Sequence, residues 1–415
     1  MDRRGFVRGL SLSALGAKVA AGMTPDEAAA DGSSAPVRLG IIGPGSRGKE
    51  LIRCFLRVRG VKVVGAADVY APRFKELNSL CRYEVPSHSD YRALVERKDL
   101  DAVIVASPLS FHSEHVLAAL QNGHHVYGEK TMAFTVAESQ AMVKAVEGGK
   151  QTFQVGLQYR YAPWIRKGIG RVKQGEIGEV THIVGYWHRN SDWRRPVPKT
   201  ANWQGNSMYS SLERLINWRL YNQYSLGLLA ELGSHHIDVA NWIFGETPSA
   251  ALATGSVAVY HDGRENDDNV QAVLSYSKGR RFIFSSITDN AMMGDQLWVY
   301  GTKGSLNLTL QDAVFFYEPT KVAQLPENAL ITEKGITTGA SYRAGGELPY
   351  RGAGKKLDVP VAEDPAQTAC RAFVDCIRTG KKPIADVHAG HGAALAVIVA
   401  NEAIKARQEL PIPSA

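Results

Sequence analysis

The first third of the chain alternates short apolar runs with stretches of helical periodicity. Runs such as Val37–Ile42, Val61–Ala67 and 102–106 predict strands buried on both faces, which lack the polar alternation of a half-exposed strand. The stretches 49–57 and 136–147 between such runs carry apolar residues at helical spacing. This alternation predicts a doubly wound parallel sheet, whose ligands bind beyond the C-terminal ends of the strands.

The pattern changes after residue 157. Runs at 181–187, 250–260, 270–276, 281–287 and 296–300 alternate in polarity or are rich in β-branched residues, which predicts a large, mainly antiparallel sheet. The predicted organisation is an α/β domain over 35–157, an α+β domain over 158–360 for substrate binding and oligomerisation, and helices over 361–415 that pack back on the first domain.

Glycines separate the first predicted strand from the helix after it. The sequence Gly43-Pro44-Gly45-Ser46-Arg47-Gly48 is a GxGxxG turn in the context that gives this motif meaning, where backbone N–H groups bind a pyrophosphate at a helix N-terminus. A dinucleotide-binding Rossmann domain is therefore predicted.

Asp68 ends the second predicted strand, where an acid binds the adenosine ribose and repels a 2′-phosphate. NAD is thus favoured over NADP. Arg73, close by, leaves NADP open, and a helix N-cap is the alternative role for Asp68.

Further polar residues follow later strands of the predicted parallel sheet, at the edge where the cofactor binds. The predicted cofactor-binding residues are Gly43, Gly45, Ser46, Arg47, Gly48, Asp68, Ser107, Pro108, His112, Glu129, Lys130, Gln158 and Arg160.

Together with this turn, several motifs resemble those of the Gfo/Idh/MocA oxidoreductases, the family of glucose–fructose oxidoreductase and inositol dehydrogenase. They are Ala106-Ser107-Pro108 with His112, Glu129-Lys130, Ile177-Gly178 and Glu231-Leu232-Gly233-Ser234-His235. The sequence departs from the family at two places: Thr131 follows Lys130 where a proline is usual, and Glu231 stands where an aspartate is usual.

The resemblance implies hydride transfer from a secondary hydroxyl of a sugar or polyol to a nicotinamide, with Lys130, His235 and Glu231 as catalytic residues. His235 would be the base, and Lys130 the electrostatic partner and proton relay. Glu231 and His235, four residues apart on a predicted helix, would share one face. An ordinary helix pair is the alternative for Glu231.

The stretch from Trp187 to Tyr224 is rich in aromatic and arginine side chains, which suit a sugar ring and its hydroxyls. The alternatives are a loop packed for stability or a subunit contact. The predicted substrate-binding residues are Tyr159, Trp193, Arg194, Arg219 and Tyr224. One face of the C-terminal sheet resembles the family's dimerisation surface, which implies a homodimer or homotetramer.

The N-terminus resembles a twin-arginine export signal over residues 1–30, with Arg3-Arg4, a weakly apolar stretch and Ala28-Ala29-Ala30. The alternative is a cytosolic N-terminus with a chance arginine pair. Export by this route would place the protein in the periplasm or outside the cell. Because free NAD is scarce there, we expect a tightly bound cofactor that is recycled in place.

Composition excludes several classes of function. The formal charge of the 415-residue chain is +7, but it is dispersed, so no nucleic-acid groove is predicted. No run of about 18 apolar residues predicts a membrane span in the mature protein. The four cysteines (Cys54, Cys81, Cys370 and Cys376) form no CxxC pair and are predicted to be buried thiols without a metal.

Two alternative functions remain open. The segment Trp218-Arg219-Leu220 resembles an element of the NAD-dependent glycosidases of glycoside hydrolase family 109, which act by transient oxidation. A nucleotide-binding protein that has lost catalysis is the other alternative, and it would be consistent with Thr131 and Glu231.

Overall fold

Two β-sheets organise the protein. The computed structural model describes residues 36–199, 203, 205–318, 352–360 and 363–415, so the predicted export signal lies outside the described residues. The N-terminal sheet has two buried clusters of apolar side chains and the C-terminal sheet has one, and the final helices contribute residues to all three.

The N-terminal sheet has six strands in the spatial order β3-β2-β1-β4-β5-β6, and all its pairings are parallel. This is the strand order of a dinucleotide-binding Rossmann domain, and it confirms the predicted doubly wound sheet. The strands are β1 (Val37–Ile42), β2 (Val61–Ala67), β3 (Ser87–His88), β4 (Ala102–Val105), β5 (His125–Gly128) and β6 (Phe153–Val155).

Five α-helices connect these strands, and each buries an apolar stripe against the sheet. In the first of them, Leu51, Ile52 and Phe55 are fully buried, because residues three and four apart share a helix face. The helices are α1 (Ser46–Phe55), α2 (Pro72–Cys81), α3 (Tyr91–Val95), α4 (His112–Gln121) and α5 (Val136–Glu147).

The second sheet has nine strands in the order β14-β13-β12-β11-β7-β10-β9-β8-β15. Only β7 and β10 pair in parallel, so the prediction of a mainly antiparallel sheet is confirmed. The strands are β7 (Val180–His188), β8 (Ala250–Ser256), β9 (Asn269–Ser275), β10 (Arg281–Ile287), β11 (Asp295–Gly301), β12 (Gly304–Thr309), β13 (Ala313–Tyr317), β14 (Lys355–Lys356) and β15 (Leu410–Pro411).

The second half of the chain also contains five α-helices among its described residues. They are α6 (Pro163–Lys173), α7 (Leu212–Ile216), α8 (Ser234–Phe244), α9 (Pro365–Thr379) and α10 (Val387–Ala406). The last two helices contact the first domain, where α9 packs on α1 and α10 packs on α5.

Helix α10 belongs to both cores. Leu395 and Val397 pack in the cluster under the nine-stranded sheet, while Ala394 and Ile398 pack in the cluster of the Rossmann domain. With 20 residues, this helix is long and apolar enough to cross a membrane by length and composition alone, but 72% of its most apolar part is buried inside the protein. Its apolar surface is therefore used in joining the two domains.

The four cysteines are free and buried, as predicted. Cys54 on α1 and Cys370 on α9 lie in the same apolar cluster, where these two helices meet. Free cysteine commonly fills such a position as a small apolar side chain.

Candidate active site

A groove follows the C-terminal ends of the Rossmann strands and consists of two adjoining cavities. The larger, of about 530 Å³, reaches Asp68, and the smaller, of about 240 Å³, reaches Lys130 and Glu231. Seven residues line both cavities: Ser46, Arg47, Ala106, Ser107, Arg195, Trp218 and Arg219. The groove therefore runs continuously from the end of β2 to the ends of β4 and β5.

The glycine turn between β1 and α1 has the shape that a pyrophosphate requires. Gly43 has a φ of 83°, and a Cβ there would lie 2.8 Å from the backbone of Ala106 and Ser107. A Cβ at Gly48 would lie 2.3 Å from the carbonyl oxygen of Gly43, so Gly48 permits the close packing of helix on turn. Gly45, by contrast, is open to the groove.

Helix α1 begins at Ser46, and no side chain caps its N-terminus. The first N–H groups of a helix need acceptors, and their partial positive charge favours an anion. These uncapped donors lie at the junction of the two cavities, so the described residues fit the pyrophosphate of a dinucleotide.

At the far end of the larger cavity, Asp68 and Arg73 form an ion pair. Both carboxylate oxygens of Asp68 accept from Nη1 of Arg73, at 2.9–3.0 Å, and one of them also accepts from the backbone N–H of Tyr70 at 2.8 Å. A ribose bound at this end would therefore face both the carboxylate of Asp68 and the guanidinium group of Arg73.

His112 and His115 hold the loop after β4 in place through hydrogen bonds. The ring nitrogens of His112 lie 2.7 Å from the carbonyl oxygen of Thr131 and 2.9 Å from that of Ser107. Nδ1 of His115 lies 2.9 Å from Oγ of Ser107, and burial lowers the pKa of His115 to about 3. His115 is therefore a neutral imidazole, and the two histidines orient the backbone that lines the groove.

Glu129 acts on the glycine turn through Arg47. Nε of Arg47 donates to Oε1 of Glu129 at 2.9 Å, and the Glu129 side chain is 8% exposed. This charge-assisted hydrogen bond holds the Arg47 side chain at the smaller cavity. Nη1 of Arg47 also donates to Oε2 of Glu50 at 3.4 Å. Glu129 therefore positions a cation at the turn.

Lys130, Glu231 and Arg219 form a charged cluster in the smaller cavity. Nε of Arg219 donates to Oε2 of Glu231 at 2.8 Å, and Nζ of Lys130 lies 4.0 Å from the same oxygen. Ser225 donates to the other oxygen at 3.1 Å. Burial opposes ionisation of Glu231, but Arg219, Lys130 and these hydrogen bonds outweigh it and hold the pKa of Glu231 below its ordinary value. Burial also lowers the pKa of Lys130, against the attraction of Glu231.

The helix that carries Glu231 and His235 differs from the prediction. Residues Leu229–Gly233 form a π-helical turn, and the α-helix begins only at Ser234. Glu231 lines the smaller cavity and His235 does not, so the two side chains do not line the cavity together, as the prediction had them.

His235 does not line the smaller cavity but lies close to Trp187, which does. It is 3% exposed, and its ring stacks on Tyr159 with centroids 4.9 Å apart and lies 5.9 Å from Trp187. Burial and the charge of Lys130 hold its pKa well below the ordinary value. Nδ1 is enclosed without a hydrogen-bond partner among the described residues. The ring is therefore a neutral imidazole next to Lys130.

Tyr159 supports this ring and is itself held by Asp295. The Tyr159 hydroxyl donates to Oδ2 of Asp295, and Nε2 of His236 lies 2.8 Å from Oδ1. Tyr159, predicted to bind substrate, is thus placed against His235 and is absent from the residues that line either cavity.

Three other predicted site residues lie away from the groove. Arg160 forms an ion pair with buried Asp238 at 2.8–3.0 Å and donates to the carbonyl oxygen of Ile384 at 3.1 Å, so its prediction as a cofactor ligand is corrected. Arg194 is bound by Asp262 and Glu213. These ion pairs use the guanidinium groups to join distant segments.

Tyr224 is the third of them, and it is 1% exposed. Its ring stacks on that of Tyr209 at 4.9 Å and its hydroxyl donates to the carbonyl oxygen of Met208 at 2.9 Å. A fully enclosed ring cannot contact substrate, so the predicted role of Tyr224 is corrected to packing within the 203–224 segment.

The other predicted residues lie at the groove. Gly43, Gly45, Asp68 and Pro108 line the larger cavity, and His112, Glu129, Lys130, Gln158, Trp193 and Glu231 line the smaller one, while Ser46, Arg47, Ser107 and Arg219 line both.

The predicted site residues omitted seven that line the smaller cavity, among them Trp187, Arg189 and Arg195. Nη1 of Arg195 donates to Oγ of Ser46 at 3.2 Å, so the second domain places a cation at the start of α1. A signal for these three was present in the sequence, because they lie in the aromatic and basic stretch from Trp187 to Tyr224.

Two family models match the chain. Residues 37–157 match the oxidoreductase family with an NAD-binding Rossmann fold, Gfo/Idh/MocA. Residues 169–307 match a C-terminal domain of the same family.

Several known proteins are similar over much of the chain. The uncharacterised oxidoreductase YrbE of Bacillus subtilis is 28% identical over 269 residues, which are 64% of this chain and 72% of YrbE. Inositol 2-dehydrogenase of Salmonella typhimurium is 27% identical over 51% of this chain and 55% of its own length.

Solved structures show the same fold across nearly the whole chain. Levoglucosan dehydrogenase in complex with NADH and L-sorbose superposes with a TM-score of 0.70 at 20% identity, covering 92% of this chain and 100% of that one. The apo scyllo-inositol dehydrogenase of Lactobacillus casei gives a TM-score of 0.66 at 19% identity, covering 91% and 99%.

The open position of Gly45 allows a test of the groove as a nucleotide site. In Gly45→Ala the new methyl group would approach only the Arg73 side chain, at 3.8 Å, and would otherwise project into the groove. We expect NADH affinity, measured by fluorescence titration, to fall at least about tenfold, roughly 1.4 kcal/mol, while the midpoint of thermal unfolding stays unchanged.

Gly170→Ala on α6 is the matched control, since a Cβ there meets no atom within 4 Å. It should leave both NADH affinity and stability as they are, apart from the small gain of alanine over glycine in a helix. Unchanged NADH affinity in Gly45→Ala would show that the dinucleotide does not cross this turn.

Proposed function

This chain belongs to the Gfo/Idh/MocA family of NAD-binding oxidoreductases, and we propose that it oxidises a secondary hydroxyl of a sugar or polyol by hydride transfer to NAD. The observation that carries the proposal is the continuous groove that joins the glycine turn and Asp68 to the Lys130–Glu231 cluster. A dinucleotide laid along it has its adenosine at one end and its nicotinamide at the other.

The residues at the two ends of the groove indicate where the adenosine and the nicotinamide of the cofactor would bind. Asp68 faces the adenosine ribose, and the uncapped start of α1 with Arg195 faces the pyrophosphate. When bound, the nicotinamide supplies the hydride acceptor. The chain's own groups at that end, Lys130 and Glu231, hold the hydroxyl to be oxidised.

Lys130 and His235 divide the proton chemistry. Lys130 lines the cavity and contacts the reacting oxygen, where its charge stabilises the developing alkoxide. His235 does not line the smaller cavity. Its lowered pKa keeps it neutral, and it accepts the proton that Lys130 relays. Glu231, kept ionised by Arg219, holds the ammonium group of Lys130 in place.

The lining of the smaller cavity supports a polyhydroxylated substrate. The indole rings of Trp187 and Trp193 offer flat apolar faces, and Gln158 and Arg219 offer hydrogen-bond donors, the combination that suits a sugar ring. The relatives named inositol 2-dehydrogenase and levoglucosan dehydrogenase point to the same class of substrate.

The proposal is tested on gel-filtered protein without added nucleotide. Mixed with a panel of aldoses, polyols, sugar acids and glycosides, the protein should give the near-ultraviolet absorbance of reduced nicotinamide, rising to about one equivalent per chain. This outcome also tests a tightly bound cofactor. Turnover only with added NAD⁺ would contradict tight binding, and release of an alcohol from a glycoside would favour the glycosidase.

The catalytic roles predict that Lys130→Met and His235→Asn each lower kcat by about 10²–10⁴-fold with little change in NADH affinity. Arg214→Met, in an exposed ion pair with Glu265, is the control. Because the pKa of His235 lies well below the ordinary value, kcat/KM in the wild type should not fall as the pH drops through 6.5. A fall there would contradict the lowered pKa of His235, and full activity in His235→Asn would remove His235 as the base.

Cofactor choice depends on Asp68 and Arg73. The wild type should prefer NAD⁺, since the Asp68 carboxylate repels a 2′-phosphate. In Asp68→Ala, Arg73 loses its partner and is free to bind that phosphate. The ratio of kcat/KM for NADP⁺ over NAD⁺ should rise at least about tenfold, roughly 1.4 kcal/mol, as measured by initial rates with each cofactor. A fall in both values with no change in ratio would contradict this assignment.

We also propose export by the twin-arginine route and assembly into a dimer or tetramer through the C-terminal sheet. Export is supported by the sequence of residues 1–30. The outer face of the sheet presents apolar side chains, with Leu252 46% exposed and Tyr300 37% exposed. An apolar sheet face of this kind is typical of surfaces covered by a second copy.

One preparation tests both proposals. The full chain and its Arg3→Lys/Arg4→Lys variant are expressed in a bacterium with a twin-arginine translocase, and the cells are fractionated. We expect the shortened wild-type protein in the periplasmic fraction and the variant retained inside. Sedimentation of the mature protein should give two or four times the chain mass. A cytosolic wild type, or a monomer at micromolar concentration, would contradict the respective proposal.

A further inference from the structure

Arg189 occupies an unusual position in the smaller cavity. It directly follows β7, and its backbone N–H donates to the carbonyl oxygen of Ile287 at 2.9 Å, which fixes the start of its side chain. The guanidinium carbon lies 5.5 Å from the ring centroid of Trp187 and 5.4 Å from that of Trp193. Two aromatic contacts thus hold the group at the cavity wall.

The other cations of this cavity have hydrogen-bond acceptors. Arg47 donates to Glu129, Arg219 to Glu231 and Arg195 to Ser46, and Nζ of Lys130 lies 3.4 Å from the carbonyl oxygen of Ala230. The guanidinium of Arg189 makes no hydrogen bond or ion pair with any of the described residues.

The carboxylates near Arg189 have other partners. Asp295 contacts Tyr159 and His236, and Glu231 is bound by Arg219 and Ser225. Burial lowers the pKa of Arg189. No guanidinium nitrogen of Arg189 is enclosed without a partner, so its donors are open to the cavity, where an anion can bind them.

From this arrangement we propose that Arg189 binds a carboxylate on the substrate, so that the substrate is a sugar acid or polyol acid rather than a neutral sugar. The inference rests on the proposed function and names the substrate class of the same site. The edges of a guanidinium, with its faces over aromatic rings, match the two oxygens of a carboxylate.

Charge and position favour a substrate carboxylate as the ligand of Arg189 over the cofactor pyrophosphate and over a phosphate on the substrate. Arg195 is next to Ser46 at the start of α1 and lines both cavities, which places it at the cofactor pyrophosphate. Arg189 lines only the smaller cavity. One unpaired guanidinium balances one carboxylate, whereas a phosphate dianion would need a second unpaired cation here.

Binding is measured by calorimetry on the NADH-saturated enzyme, so that no alcohol is consumed. The probes are two matched pairs, D-glucuronate with D-glucose and D-gluconate with D-sorbitol, together with D-glucose 6-phosphate. We expect the wild type to bind at least one acid at least tenfold more tightly than its neutral partner.

Arg189→Met should abolish this preference by weakening the acid about 10–100-fold, and Arg189→Lys should retain part of it. Arg281→Met, an exposed arginine on β10, is the matched control and should bind as the wild type does. NADH affinity and the unfolding midpoint, measured on each variant, separate loss of the subsite from loss of the fold.

The possible results separate this inference from the proposed function. Equal binding of acid and neutral partner, no saturable binding of either acid, tighter binding of the phosphate, or equal losses for both partners in Arg189→Met would each overturn the carboxylate subsite. Acid binding that depends on Arg189, with no reduced nicotinamide formed from NAD⁺ by any compound of the panel, would keep the subsite and reject the dehydrogenase.

Discussion

The carbonyl oxygen of Ala230 is the point at which the two domains are joined at the site. It accepts from Oγ1 of Thr131 and from Oγ of Ser234, each at 2.9 Å, and lies 3.4 Å from Nζ of Lys130. Through it the loop after β5 and the π turn before α8 are held together. Lys130, which precedes Thr131, and Glu231, which follows Ala230, are thereby kept close to each other, at 4.0 Å.

The same contact gives a physical reason for Thr131. Proline, the residue that the family usually has here, could not donate a hydrogen bond. Threonine adds a hydroxyl that binds the Ala230 carbonyl, while His112 contacts the carbonyl oxygen of Thr131 itself. The departure from the family pattern therefore adds one hydrogen bond, from the Thr131 hydroxyl to the second domain, to the backbone contact with His112.

The short glycine motif predicted the part of the site that consecutive residues form, which is the turn between β1 and α1. Gly48 is required by its contact with Gly43 in the same turn, and the motif also placed Gly43 correctly, although the backbone that Gly43 approaches follows β4. Arg160 could not be placed in this way, because its partner Asp238 is 78 residues away. The pairing of Arg194 with Asp262, 68 residues away, has the same cause. An arginine's role depends on which carboxylate the fold brings to it, and periodicity carries no information about that.

The π turn is the case in which local pattern misled most. Glu231 and His235 have the spacing of an α-helical pair, but the segment Leu229–Gly233 is a π turn, and Glu231 lines the cavity whereas His235 does not. Such turns are frequent at functional sites. The Glu231 carboxylate, which faces Arg219 and Lys130, stays ionised although it is buried, and burial together with the charge of Lys130 keeps the His235 imidazole neutral. A carboxylate in contact with that imidazole would have favoured its protonated form, which cannot accept a proton.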